Sequence, residues 1–442
     1  MLRFFVSFAP VSNQIYDKKT VRGWTFYDWA NSVYSLVIST AIFPIYYNSV
    51  TTQGKSDLIT FLGFETKNST LYSYTLSFSF LIVAFISPFL SGVADYTNRK
   101  KSFLRRFCYI GAIACGSLFF FEGVSTLWLG LLATVFASIG FWGSQVFYNA
   151  YLPEIAPKSL QDKISARGYA MGYFGSSILL ILCLVLIEGG FLEKGLATRL
   201  SFLLVGLWWA GFAQITFWRL PEAKERKSIH FRTLINGYRE VIGVWKKLQE
   251  RPYVRRYLIS FIFFSMGVQT VILLATFFGD KELGLDTSKL IVTILLIQFV
   301  GIAGASLFSY LSNLWGNLTS LKIAIVLWIV VCLSAFLLEK EDPHVEIKFY
   351  ALGALVGLVM GGIQSLARST YSKMLPKKGE HSTYFSFYDV SEKVAIVIGT
   401  FAYGFIEDLT GSMHNSALGL GIFFIVSIVV LQTVSNKAFI RD

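Results

Sequence analysis

The chain has 442 residues, of which 54% are hydrophobic and only 15% charged, with a mean hydropathy of +0.57. A soluble fold of this length cannot bury so much apolar surface, so composition excludes a water-soluble enzyme and points to a polytopic membrane protein. The net charge of +12 would suggest nucleic acid on a soluble chain, but here the basic residues gather in particular loops, and no nucleic-acid partner is expected.

The opening MLRFFVSFAP is too short an apolar run to read as a signal peptide. Residues 1–23 are therefore expected to form a cytoplasmic tail. Twelve apolar windows long enough to cross a bilayer follow. Six lie at 24–48, 71–93, 106–123, 126–151, 166–188 and 197–219, and six at 257–279, 288–311, 319–339, 347–373, 383–406 and 413–434. This predicts an all-α integral membrane protein with a six-helix bundle over 24–220, a linker over 221–256, a second bundle over 257–434 and a tail over 435–442. An even span number places both termini on one side. With the termini and even-numbered loops inside, 29 of the 39 Lys and Arg residues fall on that side, which predicts an N-in/C-in orientation.

The linker carries Lys224, Arg226, Lys227, Arg232, Arg239, Lys246 and Lys247 among others. Its Phe231, Leu234, Ile235, Tyr238, Ile242 and Trp245 recur at helical steps, with Ser228 placed as an N-cap. Two readings stand side by side: an amphipathic helix against anionic lipid headgroups, or a solvated helical connector. Cys108, Cys115, Cys183 and Cys332 all lie in apolar windows and are expected to be free thiols.

The two halves repeat one another. Ser91, Asp95 and Asn98 align with Ser309, Asn313 and Gly316 at a shift of 218, and Gln145 aligns with Gln364 at a shift of 219. Repeated bundles around a central cavity are the architecture of secondary transporters. The segment with Asp95, Arg99 and Lys100 resembles the signature loop of the major facilitator superfamily, with Ser91 and Asn98 where that pattern has glycines. Trp24, Tyr27, Asp28, Trp29, Asn31 and Ser32, together with Gly361-Gly362-Ile363-Gln364-Ser365-Leu366-Ala367-Arg368 and Tyr388-Asp389, are similar to the branch of the yeast vacuolar amino-acid effluxer and its bacterial relatives. That resemblance implies two pseudo-symmetric six-helix bundles and transport by alternating access. It also implies that Asp95 caps a neighbouring helix end while Arg99 and Lys100 hold a carboxylate, a conformational latch.

Charges inside membrane spans are costly and face a cavity or a partner. Asp28 and Asn31 share one helix face, Gln145 and Asn149 another, and Gln364 and Arg368 a third. Tyr388, Asp389, Glu392 and Lys393 follow in the eleventh window. These residues are candidates for a substrate or proton pathway; equally, they suit a gate closed by ion pairs, with Asp389 and Lys393 neutralising each other. Glycines at 168, 172 and 175 and at 353, 357, 361 and 362 suit helices that rock past one another, or simply tight packing. The four histidines fall in loops or at window ends, and neither His-Glu-x-x-His nor a phosphate-binding Gly-rich loop occurs, so neither an enzyme nor an ATP-driven pump is expected. No cofactor and no metal site is expected. The expected function is secondary transport of a small polar or zwitterionic solute such as an amino acid, driven by its own gradient or a coupled proton. Drugs, sugars and peptides remain alternative cargoes, and a non-transporting receptor or scaffold is the alternative from another class. The expected setting is a plasma membrane, or an organelle membrane in a eukaryote, with the chain a monomer.

Overall fold

A computed structural model describes residues 17–52, 56, 58–223, 225, 227, 231–376, 379–435 and 439. Helix α1 (Lys18–Val33) starts six residues before the apolar window, because its polar first turn is capped by Asp17, whose carboxylate accepts from the Lys19 and Thr20 amides. The chain then widens into a π-helical segment, Tyr34–Ala41, before α2 (Phe43–Thr51). Between α2 and α3 the structure places a small hairpin, β1 (Leu58–Phe61) and β2 (Phe64–Lys67), turning through Leu62 and Gly63 at φ 52° and 85°. The sequence reading had only a loop there; four-residue strands are too short to print an alternation.

Seven helices follow up to the linker and through it: α3 (Asn68–Thr97), α4 (Lys100–Ser117), α5 (Leu127–Asn149), the short α6 (Leu152–Ile155), α7 (Gln161–Glu188), α8 (Lys194–Arg219) and α9 (Phe231–Gln249). The remainder is α10 (Pro252–Phe277), α11 (Thr287–Trp315), α12 (Asn317–Phe336), α13 (Val345–Met374), α14 (His381–Thr410) and α15 (Met413–Gln432). Among the described residues eleven helical stretches are long and apolar enough to cross a membrane. Helix α14 has 30 residues, but its central turns carry Asp389, Glu392 and Lys393. The four cysteines are buried and unbridged.

Two aromatic-rich cores form. One is built from α1–α8 around Trp24, Phe43, Phe202 and Trp209; the other from α10–α15 around Tyr257, Trp328, Tyr371 and Phe424. The halves meet where α7 packs on α11 and α13, and where α14 packs on α3 and α5. Apart from Gly168, which faces the Asp28–Arg368 pair, the glycine stripes serve contacts within a half. A Cβ at Gly172 or Gly175 would strike Ser32 or Trp29 of α1, and one at Gly357 or Gly361 would strike the α11 backbone at 2.5 or 2.1 Å. Tight packing is what these positions require.

Helix α9 lies against α3. A Cβ on Gly237 would come within 2.5 Å of Val93 Cγ2, and one on Gly92 within 2.2 Å of the Gly237 carbonyl, so two glycines let the backbones touch. The docked face is Gly237, Val244 and Leu248, while Ile235, Tyr238, Ile242 and Trp245 form a separate exposed row. The expected cap Ser228 and the side chains of Phe231, Arg232 and Leu234 lie outside the described residues. At its far end α9 reaches the other half: Lys247 donates to Glu380 at 2.8 Å and Trp245 sits 5.6 Å from Phe387. Partial burial works to raise the Glu380 carboxyl, but the Lys247 ammonium and a backbone amide outweigh it and hold the group below its usual value.

Gly237→Leu is expected to lift α9 from α3, at a cost of about 1–3 kcal/mol for forced overpacking; a lower melting temperature and faster tryptic cleavage after Arg239 are the readouts. Because the folded Glu380 carboxyl is held low, its contribution is present above the ordinary Glu range and fades as pH falls through the folded value. Protection of α9 against an acid-active protease such as pepsin should therefore weaken as pH falls through the folded Glu380 value, modestly, since both partners are partly exposed.

Candidate functional site

The site is organised by one guanidinium. Arg368, on α13 in the second half, is 2% exposed and reaches across to α1, where both terminal nitrogens donate to Asp28 Oδ2 at 3.1 Å. Its Nε donates to Ser165 Oγ at 2.9 Å and its Nη2 to the Ser165 carbonyl at 2.8 Å, both on α7. Nη1 also lies 3.4 Å from Asn149 Oδ1 on α5. The cation stands over three rings, 4.2 Å from Tyr169, 4.8 Å from Trp24 and 5.5 Å from Tyr148. Tyr148 donates its hydroxyl to Asp28 at 2.8 Å, and Trp24 stacks on it at 4.4 Å. Gly168 is required here, since a Cβ would sit 2.3 Å from Asp28 Oδ2. A buried pair of this kind is tolerated because every polar atom of the cation is answered.

Towards the end of the bundle that carries the basic loops, the halves are sealed by three further carboxylates. Asp162, at the start of α7, accepts from Ser312 Oγ at 2.8 Å and Asn317 Nδ2 at 2.7 Å and pairs with Lys373, all three from the second half. Glu154 pairs with Lys100 of its own half and faces His381 Nδ1 at 2.9 Å. Asp95 lies at the start of α14, where it accepts from the amides of Ser382 and Thr383 at 3.3 and 2.8 Å and from the Thr383 hydroxyl at 2.9 Å. An anion at a helix N-terminus satisfies open amides and meets the positive end of the helix dipole. Asn98 takes the left-handed conformation, φ 57° and ψ 37°, that lets Asp95 and Lys100 stand on either side of the turn. Arg99 donates to the Lys227 carbonyl at 2.9 Å rather than to a carboxylate.

On the other side of the Asp28–Arg368 pair lies a cavity of about 210 Å³ between the halves. The π-helical segment lines it with Ser35, Ser39 and Thr40, and its wide register lets Thr40 donate to the Ser35 carbonyl at 2.9 Å. Gln145, Asn149, Gln364, Tyr388, Asp389 and Glu392 line it as well, with Asp28 at its floor. Lys393 sits behind the wall, 2.7 Å from Asp389 Oδ1. Asn31 is not part of the lining. It is fully buried within the first half, and among the described residues neither its amide nitrogen nor its oxygen finds a partner; sharing a face with Asp28 in sequence does not bring it to the cavity, because the neighbouring helix covers it.

Several site residues escaped the sequence reading. Ser165, Tyr148, Asp162, Lys373, Gln269 and Gln298 are single polar residues without a spacing pattern. Asn317 stood beside the repeated turn, and that position was the available signal.

The chain matches the family described as "Vacuole effluxer Atg22 like" over residues 16–441. It is 31% identical to an uncharacterised transporter of the major facilitator type, YxiO of Bacillus subtilis (strain 168), covering 95% of each chain. Autophagy-related protein 22-1 of Penicillium rubens is 25% identical, over 90% of this chain and 80% of the relative. Among solved structures, the major facilitator transporter FucP in its outward conformation superposes with a TM-score of 0.67 at 14% identity, covering 95% of this chain and 98% of FucP. The human organic anion transporter MFSD10 does so with 0.69 at 12% identity, covering 94% and 99%. The fold is that of the major facilitator superfamily, and the chain is a multi-pass membrane transporter that belongs to the Atg22-like vacuole effluxer family.

Proposed function

We propose that the protein moves a small polar or zwitterionic solute such as an amino acid by alternating access, with Asp28 and Arg368 as its inner gate. The observation that carries this reading is the polar cavity between the halves, floored by a buried ion pair whose two members come from opposite halves. A pair that bridges the halves is made in one state and broken in the other, so its strength sets the balance between them. The positive-inside rule makes the basic end cytoplasmic, with both termini there once α14 is counted with the eleven spans to make twelve. In this orientation the conformation faces outward. The boundaries 24–220 and 257–434 then describe two moving bundles, with Asp95, Arg99 and Lys100 as part of the cytoplasmic latch. The exposed row on α9, flanked by Arg239 and Lys246, suits the anionic cytoplasmic leaflet. Each chain encloses its own cavity and works as a monomer.

Counterflow in proteoliposomes against amino acids, dipeptides, sugars and organic cations tests the cargo. Selective exchange of amino acids supports the reading, and exchange of sugars or bulky cations alone overturns it. Arg368→Ala leaves Asp28 buried and uncompensated, at an expected cost of about 3–5 kcal/mol. Asp28→Asn with Arg368→Gln removes both charges and should recover most of the lost thermal stability while leaving counterflow depressed at least tenfold. Equal counterflow in this double variant would show that the pair is no gate. The latch is tested by labelling Thr276→Cys, a cavity-lining position, with a membrane-impermeant thiol reagent; the native cysteines are buried. Asp95→Ala should slow that labelling two- to threefold by releasing α14 and depopulating the outward state.

A further inference from the structure

The cavity is not electrically balanced. Three carboxylates face it, Asp28, Asp389 and Glu392, and among the described residues only two cations, Arg368 and Lys393, stand against them. Arg368 is spent on Asp28, as its hydrogen bonds show. Lys393 serves both carboxylates of α14: its ammonium lies 2.7 Å from Asp389 Oδ1, 3.7 Å from Glu392 Oε2 and 3.4 Å from the centre of the Trp142 ring. Glu392 Oε1 accepts from Gln269 at 2.8 Å. Asp389 Oδ2 is buried and has no partner among the described residues, although Asp389 lines the cavity.

The groups facing this cluster from the surrounding helices are neutral: Trp142 and Gln145 on α5, Tyr169 and Tyr173 on α7, Gln269 on α10 and Gln364 on α13. One negative charge is therefore left over inside the membrane, where an unbalanced ion is expensive. We propose that Asp389 and Glu392 form a seat for one monovalent positive charge, brought either by a protonated amine of the cargo or by a proton. Resting on the transporter reading above, the proposal narrows the cargo. A zwitterion would place its ammonium against the cavity side of Asp389 and Glu392 and its carboxylate among the amides of Gln145, Asn149 and Gln364, since both cations are already engaged. The filled site is neutral only if one positive charge in excess enters: a cationic amino acid or amine alone, or a neutral zwitterion with a proton.

The test is thermal unfolding of the purified full-length protein with L-lysine, the monoamine n-butylamine or L-leucine, at pH 7.5 and 5.5. If the cargo brings the charge, lysine or butylamine raises the melting temperature of the wild type at pH 7.5 by about 2–4 °C and leucine does not. If a proton brings it, acidification to pH 5.5 without solute raises the melting temperature, because the folded protein then binds a proton the unfolded chain does not. In either case Glu392→Gln, which neutralises the excess, abolishes the response. Lys393→Gln, which doubles the excess, enlarges it, and gives the opposite sign should Glu392→Gln fail to fold. Two results overturn the seat: a Glu392→Gln response equal to that of the wild type, or a wild type indifferent to both amines and pH. Labelling of Thr276→Cys and counterflow report on the transporter reading separately. A flat melting profile with intact counterflow refutes the seat alone, and an intact profile with no counterflow in any solute refutes the carrier reading alone.

Discussion

Everything in this molecule accommodates one buried ion pair. Asp28 and Arg368 come from opposite halves of the chain and meet at a site where Arg368 is 2% exposed, so the cation must be answered on every nitrogen. That demand accounts for the neighbourhood: Ser165 contributing its hydroxyl and its carbonyl, Tyr148 turned to the carboxylate, Trp24 and Tyr169 stacked against the guanidinium, and Gly168 leaving room for them. Replacing the pair with apolar side chains of equal volume would cost the fold little. Its retention makes sense as a contact with two settings, which an apolar contact lacks.

The seal at the basic end repeats one device in each direction. The first half sends Asp95 into the amides at the start of α14, and the second half surrounds Asp162, at the start of α7, with Ser312, Asn317 and Lys373. In the internal repeat the start of α7 and the start of α14 are equivalent places, and so are the turns after α3 and α11. Each half thus grips the same helix end of the other. The two grips differ in chemistry: backbone amides hold Asp95, while side chains hold Asp162. In the proposed alternating-access cycle, opening this end breaks a dipole contact on one side and an ion pair on the other.

The sequence showed the bundle clearly because hydrophobic length is a strong signal in a membrane and loop charge is a second, independent one. Nine of the ten candidate polar residues lie at the Asp28–Arg368 pair, in the cavity lining or directly behind it, since an intramembrane polar side chain has few other places to go. Asn31 lies away from the cavity because helix periodicity assigns a face but not what that face packs against. The polar residues at the seal were illegible for the opposite reason. Asp162 and Lys373 sit near window ends, where charge is common, and only the tertiary arrangement pairs residues more than two hundred positions apart. The π-helical segment was unreadable because its register reflects how α1 and α2 must be joined, and nothing in Tyr34–Ala41 departs from an ordinary apolar helix. Helix α9 was legible as amphipathic but not as three-sided. Its close approach to α3 rests on Gly237, which no hydrophobic pattern marks.

That π-helical segment has a consequence for how this protein can diverge. A wide turn is the form a helix takes when it carries one residue more than its end points require. Tyr34–Ala41 therefore holds slack in chain length at the wall of the cavity, while α1 on one side and α2 on the other stay anchored in the aromatic core. Losing that residue would tighten the turn and present a different set of hydroxyls to the interior without disturbing the bundle. Relatives that differ by a single insertion or deletion here would share a scaffold and a gate yet read different solutes, so length variation at this wall offers a route to new selectivity that substitution at the charged residues does not.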